Sequence, residues 1–173
     1  WRENSAARYY FEAHTTPLET MAKDIDCFYF SGISLAILSA VARERLFKLL
    51  QEQKNAGKTI VFDNNYRPKL WPDRTTTQKV FNQAFALSTI ALITADDHKD
   101  VFGLASLEEA VSHAQQLNIQ EIVIKRGSSQ TLVHSHEQHG WTAVDTQVVS
   151  NVIDTTAAGD SFAAGYLSRR LLG

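Results

Sequence analysis

The chain has 173 residues, 44% hydrophobic and 21% charged, which suits one globular domain with a real core. A formal net charge of −2 supplies no general attraction to nucleic acid or anionic membrane, so any phosphate binding has to be local. The single Cys27 cannot close an internal disulfide, and no stretch reaches the roughly 18 apolar residues of a membrane span, so a reducing cytoplasmic setting is expected.

The chain opens "WRENSAARYY", with neither a start methionine nor a basic-then-apolar signal, and reads as an excerpt of a longer product. "DCFYFSGIS" is an apolar, aromatic run read as a buried strand meeting a loop at Ser31-Gly32. Leu38, Val41, Ala42, Leu46, Leu49 and Leu50 then recur at helical spacing until "NAGK" stops the helix. Thr59 to Phe62 of "TIVFDNNYRP" predicts a second buried strand, followed at once by polar residues and Pro68. Val80, Phe81, Ala84 and Phe85 mark a helix, "IALIT" a strand, Leu107, Ala110, Val111, Ala114 and Leu117 a helix, and "EIVIK" a strand. "QTLVHSH" and "WTAVDTQVV" predict a hairpin, and Ser161 to Leu172 an amphipathic helix.

Apolar strands alternating with helices predict an α/β fold with a mostly parallel sheet and helices on both faces, as a single domain over 1–173. Ligands in such sheets gather beyond the carboxyl ends of the strands, where the polar clusters after Phe62, Thr94 and Lys125 all fall. No Gly-x-Gly-x-x-Gly follows a strand, which argues against a dinucleotide-binding dehydrogenase. His134, His136 and His139 lie in the expected hairpin without the spacing or partners of a zinc site, and no metal ligands are assigned.

The string "DTTAAGDSF" holds the most specific chemistry. Ala157, Ala158 and Gly159 lead into a helix whose first amides lack intrahelical acceptors and can point together at an anion. A carboxylate at the mouth of that cluster repels the anion, yet it is well placed to accept a proton from a hydroxyl attacking a bound phosphoryl group. Two readings stand: an anion hole with Asp160 as base, or a helix start capped by Asp154 or Thr155 whose alanines allow close packing.

The longer string "DTTAAGDSFAAGYL" resembles the C-terminal signature of the ribokinase-like carbohydrate kinases, the PfkB family, through Asp154, Thr155, Ala158, Gly159, Asp160 and Phe162. Many members have Gly where this chain has Ala157, a change that keeps the backbone amide. The resemblance implies a ribokinase-like Rossmann-type three-layer sandwich, Asp160 as catalytic base and an anion hole from the amides of Ala157 to Asp160. Substitution of Gly159 by valine is expected to crowd the amides and to resist any positive φ there.

"FDNNYRPKLW" is similar to a segment of 2-keto-3-deoxygluconate kinases, which implies that Arg67 reaches ATP phosphates or the sugar acid with Asn65 beside it. An arginine fork suits either partner. "WRENSAA" resembles the stretch where these kinases hold the acid substrate, implying that Arg2 contacts its carboxylate; "IVIKRGSSQTLV" resembles the nucleotide side, placing Lys125 and Gly127 near ATP. In "LITADDHKDVFG" the family's Asn-x-x-Glu stretch, linked to magnesium and phosphate, would fall on Thr94 and Asp97, implying contact through water; Asp97 reads equally well as a solvated helix-start acid.

The resemblance covers the central and C-terminal part of the large kinase domain, with the N-terminal lid segment and the last C-terminal helices absent. It implies ATP and Mg2+ as cofactors, a small sugar acid as substrate, no nucleic-acid or membrane partner, and leaves self-association open. Alternatives kept beside it are a fructokinase or ribokinase acting on a neutral sugar, and an inactive nucleotide- or sugar-acid-binding module.

Overall fold

The computed structural model describes residues 17–147, 149–151 and 153–172. Helix α1 (Pro17–Met21) and a 3-10 turn lead into β1 (Cys27–Ser31), which is followed by α2 (Gly32–Ala36), α3 (Ala40–Asn55) and β2 (Thr59–Asp63). After a 3-10 turn at Pro68–Leu70 come α4 (Arg74–Leu87), β3 (Ile90–Thr94), α5 (Ala95–Phe102), α6 (Leu107–Gln115) and β4 (Glu121–Lys125). The hairpin β5 (Thr131–Ser135) and β6 (Gln138–Val144) precedes α7 (Ala158–Leu172). Among the described residues no helix is long and apolar enough to cross a membrane.

The six strands lie in chain order, β1 to β4 parallel and the hairpin antiparallel on the β4 side. Period-2 alternation sends Phe28, Phe30, Ile60, Phe62, Ala91, Ile93, Ile122 and Ile124 to one face, where they pack with Leu46, Leu50, Phe81, Phe85, Val101 and Ala114 of the crossover helices. The opposite residues Val61, Ile90, Leu92 and Val123 meet Phe162, Ala163, Tyr166 and Leu167 of α7. Helices cover both faces as expected, but unequally. Right-handed crossovers that always step in the same direction across a sheet all fall on one side of it, and the strand order here never reverses. Among the described residues only α7, arriving after the hairpin, covers the other face.

At Ser31-Gly32 the chain does not enter a loop but turns directly into α2. Ser31 caps the helix in a reciprocal box with Ser34. Glycine is required here by close approach: a Cβ on Gly32 would collide with the Asn64 carbonyl and stand 2.8 Å from the Phe81 ring and 2.9 Å from the Asn65 carbonyl. The glycine thus lets the backbone after β2 lie against the start of α2. In α3 the buried stripe is Ala42, Leu46, Phe47, Leu49 and Leu50, whereas Val41 is exposed despite fitting the apolar spacing.

Candidate functional site

Because β1 to β4 run the same way, their carboxyl ends and following segments share one edge of the sheet. An open cleft of about 420 Å3 lies there, lined by Asp63, Asn65 and Arg67 after β2, Thr94 and Asp97 after β3, Lys125 of β4, and Thr155 to Asp160 before and at the start of α7, with Ile33 from α2. The polar clusters expected at this edge are therefore brought together, and Ala157, Ala158, Gly159 and Asp160 join them.

The approach to α7 is built from backbone turns. The Asp154 carboxylate accepts the Thr156 N–H at 2.8 Å, which holds its pKa below the usual carboxylate value. That bond lies upstream of α7, so Asp154 does not cap the helix. The Ala158 N–H donates to the Thr155 carbonyl at 3.1 Å and the Ser161 N–H to the Ala157 carbonyl at 2.8 Å. Of the expected amide cluster, the Ala158 N–H is therefore occupied, while those of Ala157, Gly159 and Asp160 find no acceptor among the described residues. The left-handed backbone falls on Ala157, at φ 59°, and not on Gly159, whose φ lies outside that region and around whose Cα there is open space. Asp160 itself is exposed.

Behind this mouth lies a buried ion pair that joins the expected Lys125 to an acid not among the sequence-based candidates, Asp63. Asp63 is 1% exposed, and both its oxygens stand 3.4 Å from the Lys125 ammonium. The Tyr29 hydroxyl donates to it at 3.3 Å, and the Asn65 N–H is a further donor. Burial pushes the Asp63 carboxyl up from its ordinary value, and the Lys125 charge is the strongest influence pulling it back. Lys125 is itself enclosed: its side chain is 13% exposed, with its ammonium 5.6 Å from the centre of the Phe162 ring. Burial, and then the charges of Asp63 and Asp160, hold the Tyr29 phenol well above its usual range.

Two further bridges fix the floor. Asn64, fully buried, joins its side-chain amide to the Thr94 backbone, and the Tyr66 N–H donates to the Asp97 carboxylate at 3.0 Å. Asp97 is in the first turn of α5 as read, but it is half-buried and bonded rather than solvated. Burial raises its pKa, offset by the Tyr66 N–H, Arg67 and Lys125. Arg67 is exposed and donates to its own neighbour's carbonyl, that of Tyr66, at 2.8 Å, with the rest of its fork free to turn into the cleft. Gly127 sits at φ 61° in the β4–β5 turn and is not among the residues lining the cleft. Arg2 lies outside the described residues.

Sequence reasoning missed Tyr29, Asp63 and Asn64. The signal for Asp63 was present, an acid directly continuing the apolar run "TIVF" with nothing to end the strand before it. No sequence signal identifies Lys125, 62 positions later, as its partner.

A model of the pfkB family of carbohydrate kinases matches residues 3–173, and the chain belongs to that family. It is 41% identical to the 2-dehydro-3-deoxygluconokinase of Escherichia coli (strain K12), an alignment covering all of this chain and 57% of that protein. Against the 2-dehydro-3-deoxygluconokinase of Dickeya dadantii the identity is 38%, over 100% of this chain and 56% of the relative. The chain thus spans little more than half the length of these curated relatives. Among solved structures, aminoimidazole riboside kinase from Salmonella enterica, complexed with aminoimidazole riboside and an ATP analogue, superposes with a TM-score of 0.70 at 29% identity, over 82% of this chain and 46% of that one.

Proposed function

We propose that the protein containing this chain transfers the terminal phosphoryl group of ATP to the primary hydroxyl of 2-keto-3-deoxygluconate. The observation that carries the reading is the convergence in one cleft of an exposed carboxylate, Asp160, with the amides of Ala157, Gly159 and Asp160, unbonded among the described residues, and the cations Arg67 and Lys125. Asp160 accepts the hydroxyl proton as the oxygen attacks phosphorus. The amides and cations stabilise the charge that accumulates on the transferred group. Two 2-dehydro-3-deoxygluconokinases among the relatives support the choice of sugar acid.

The residues present fit ATP with Mg2+. Among the described residues no three His, Cys, Asp or Glu side chains converge as a metal cage. Mg2+ needs none, since it keeps waters and binds mainly through nucleotide phosphates with one or two carboxylates nearby. Asp97, facing the cleft beside Thr94, is the carboxylate suited to contact that hydrated ion. When bound, the ion would supply neutralisation of the phosphate charge.

The test is kcat/KM for the acid and for neutral sugars in the complete protein, with Arg2→Leu and Arg67→Leu beside the wild type. A charge-assisted hydrogen bond worth about 1.5 to 3 kcal/mol gives roughly a 10- to 150-fold preference for the acid. Arg2→Leu is expected to flatten that preference, and Arg67→Leu to lower kcat for every substrate. Equal losses on acid and neutral sugars for Arg2→Leu would move the carboxylate contact elsewhere. A wild type preferring fructose or ribose would make this a neutral-sugar kinase.

A further inference from the structure

Asp63 stands apart from the chemistry assigned above, yet it is the most enclosed charge at the cleft. Its carboxylate gathers donors from β1 (Tyr29 hydroxyl), from β4 (Lys125 ammonium) and from the backbone immediately after β2 (Asn65 N–H). The β1 and β4 donors enter from opposite sides of β2, and Lys125 reaches Asp63 past β3. Purely as a stabilising device this is a poor arrangement: desolvating two charges offsets much of their attraction, and 3.4 Å to each oxygen is longer than a good charge-assisted bond.

What the arrangement does accomplish is to fix a point in space. Lysine carries a compact charge on a flexible four-carbon stem, so an unrestrained ammonium samples a wide volume. Here it is centred across both Asp63 oxygens and backed by the Phe162 ring, in the turn of α7 that follows Asp160. An ammonium has three N–H donors. With the carboxylate on one side and the ring on another, the remaining donor capacity is turned to the cleft that Lys125 lines together with Asp160.

We infer that Asp63 is a positioning residue: it holds the Lys125 ammonium at the one place in the cleft where it meets the phosphoryl group being transferred, and partly neutralises it so that nucleotide is not bound off-position. The inference rests on the kinase reading for its rate measurement, but not for its binding measurement.

The test uses the complete protein carrying Asp63→Asn, Lys125→Met, both together, and Lys125→Arg. For Asp63→Asn the freed lysine keeps its full charge, so KM for ATP is expected to fall while kcat drops about 10- to 100-fold, a split that partial unfolding does not produce. Lys125→Met is expected to lower kcat and raise KM for ATP. The double variant is expected to be no slower than Lys125→Met alone, because Asp63 acts only through the lysine. Lys125→Arg keeps the charge and a partner for Asp63 but moves the cation, and is expected to lose kcat with little change in KM; this variant carries the test if Asp63→Asn does not fold.

Independent losses that multiply in the double variant, or a Lys125→Arg enzyme as fast as the wild type, would overturn the inference. Calorimetric ATP titration separates it from the functional reading. If the wild type phosphorylates no sugar, tighter ATP binding in Asp63→Asn that vanishes when Lys125→Met is added still supports the positioning role, and ATP affinity indifferent to Asp63 refutes it.

Discussion

The side-chain amide of Asn64 is hydrogen-bonded to both backbone groups of Thr94: its Oδ1 accepts the Thr94 N–H at 2.9 Å and its Nδ2 donates to the Thr94 carbonyl at 3.0 Å. The Asn64 N–H also donates to the Leu92 carbonyl, so one residue continues the β2–β3 pairing past the end of β2, first with backbone and then with side chain. Asn65 and Arg67 leave from one partner, and Asp97 starts from the other. Asn64→Ala removes both side-chain bonds and leaves the Thr94 N–H unpaired, a loss of about 2 to 4 kcal/mol. Urea unfolding of the chain checks the stability, and a change within about 0.5 kcal/mol would mean that water replaces the clamp.

Asp160→Asn separates chemistry from fold. The side chain is exposed and accepts no hydrogen bond among the described residues, so unfolding free energy should change by less than about 0.5 kcal/mol. In the complete protein, turnover should fall by about two orders of magnitude or more with ATP affinity retained, since general-base assistance is commonly worth that much. Steady-state kinetics alongside ATP titration decides it: unimpaired kcat removes Asp160 from proton transfer.

The strands and the cleft edge were legible because their signal is local. Four apolar runs with intervening helical spacing dictate a parallel sheet, and the last three end in polar residues that have nowhere to go but the carboxyl edge. "IALIT" and "EIVIK" are the strands β3 and β4, residue for residue. Helix α5 was harder to see, because only His98 and Val101 follow its buried first residue, Ala95, into the core, and a histidine does not announce burial. The Asp63–Lys125 and Asn64–Thr94 pairs were illegible for another reason. Each depends on which strands become neighbours, a fact settled by the packing of the whole sheet. The left-handed residue was likewise misplaced, since glycine at 159 draws attention from the alanine that actually adopts the conformation.

That misplacement yields a contrast between two neighbours. An alanine at φ 59° is held in a region that disfavours a Cβ, so Ala157→Gly should stabilise the chain by about 0.5 to 1 kcal/mol even after the extra freedom glycine gains when unfolded. Ala157→Val should destabilise by about 1 to 2 kcal/mol, because a β-branched side chain fits that region worse still. Gly159→Val meets open space in a helix and should leave stability nearly unchanged. Denaturant midpoints of the three variants test the order, and a Gly159→Val loss exceeding that of Ala157→Val would contradict the backbone geometry.

Acid should loosen the cleft from behind, through a histidine pair. His98 on α5 is fully buried, its Nε2 lies 2.8 Å from Nδ1 of His113 on α6, and its own Nδ1 has no partner among the described residues. Rings of Phe85 and Phe102 flank it. Burial first, and then the nearby His113, push the His98 pKa from 6.5 down to about 3. The sign follows from proton counting. Between these values the unfolded chain binds a proton that the folded chain refuses, so stability is complete above the unfolded pKa and drains away as pH falls toward the folded one. The slope is about 1.4 kcal/mol per pH unit once the unfolded histidine is fully charged. The buried carboxylates Asp63 and Asp97, whose pKa values are raised, act in the opposite direction, which is why the comparison has to be made between variants and not within one titration curve. His98→Leu keeps an apolar side chain in the site and leaves His113, half-buried, able to reach water. Its stability should decline less steeply than that of the wild type as pH falls below about 6.5. Since Thr94 and Asp97 open the same helix that carries His98, the wild type should also lose cleft-dependent ATP binding over that acid range more sharply than the variant. Unfolding curves that run parallel for the two proteins from pH 6.5 downward would show that the proton is taken up elsewhere.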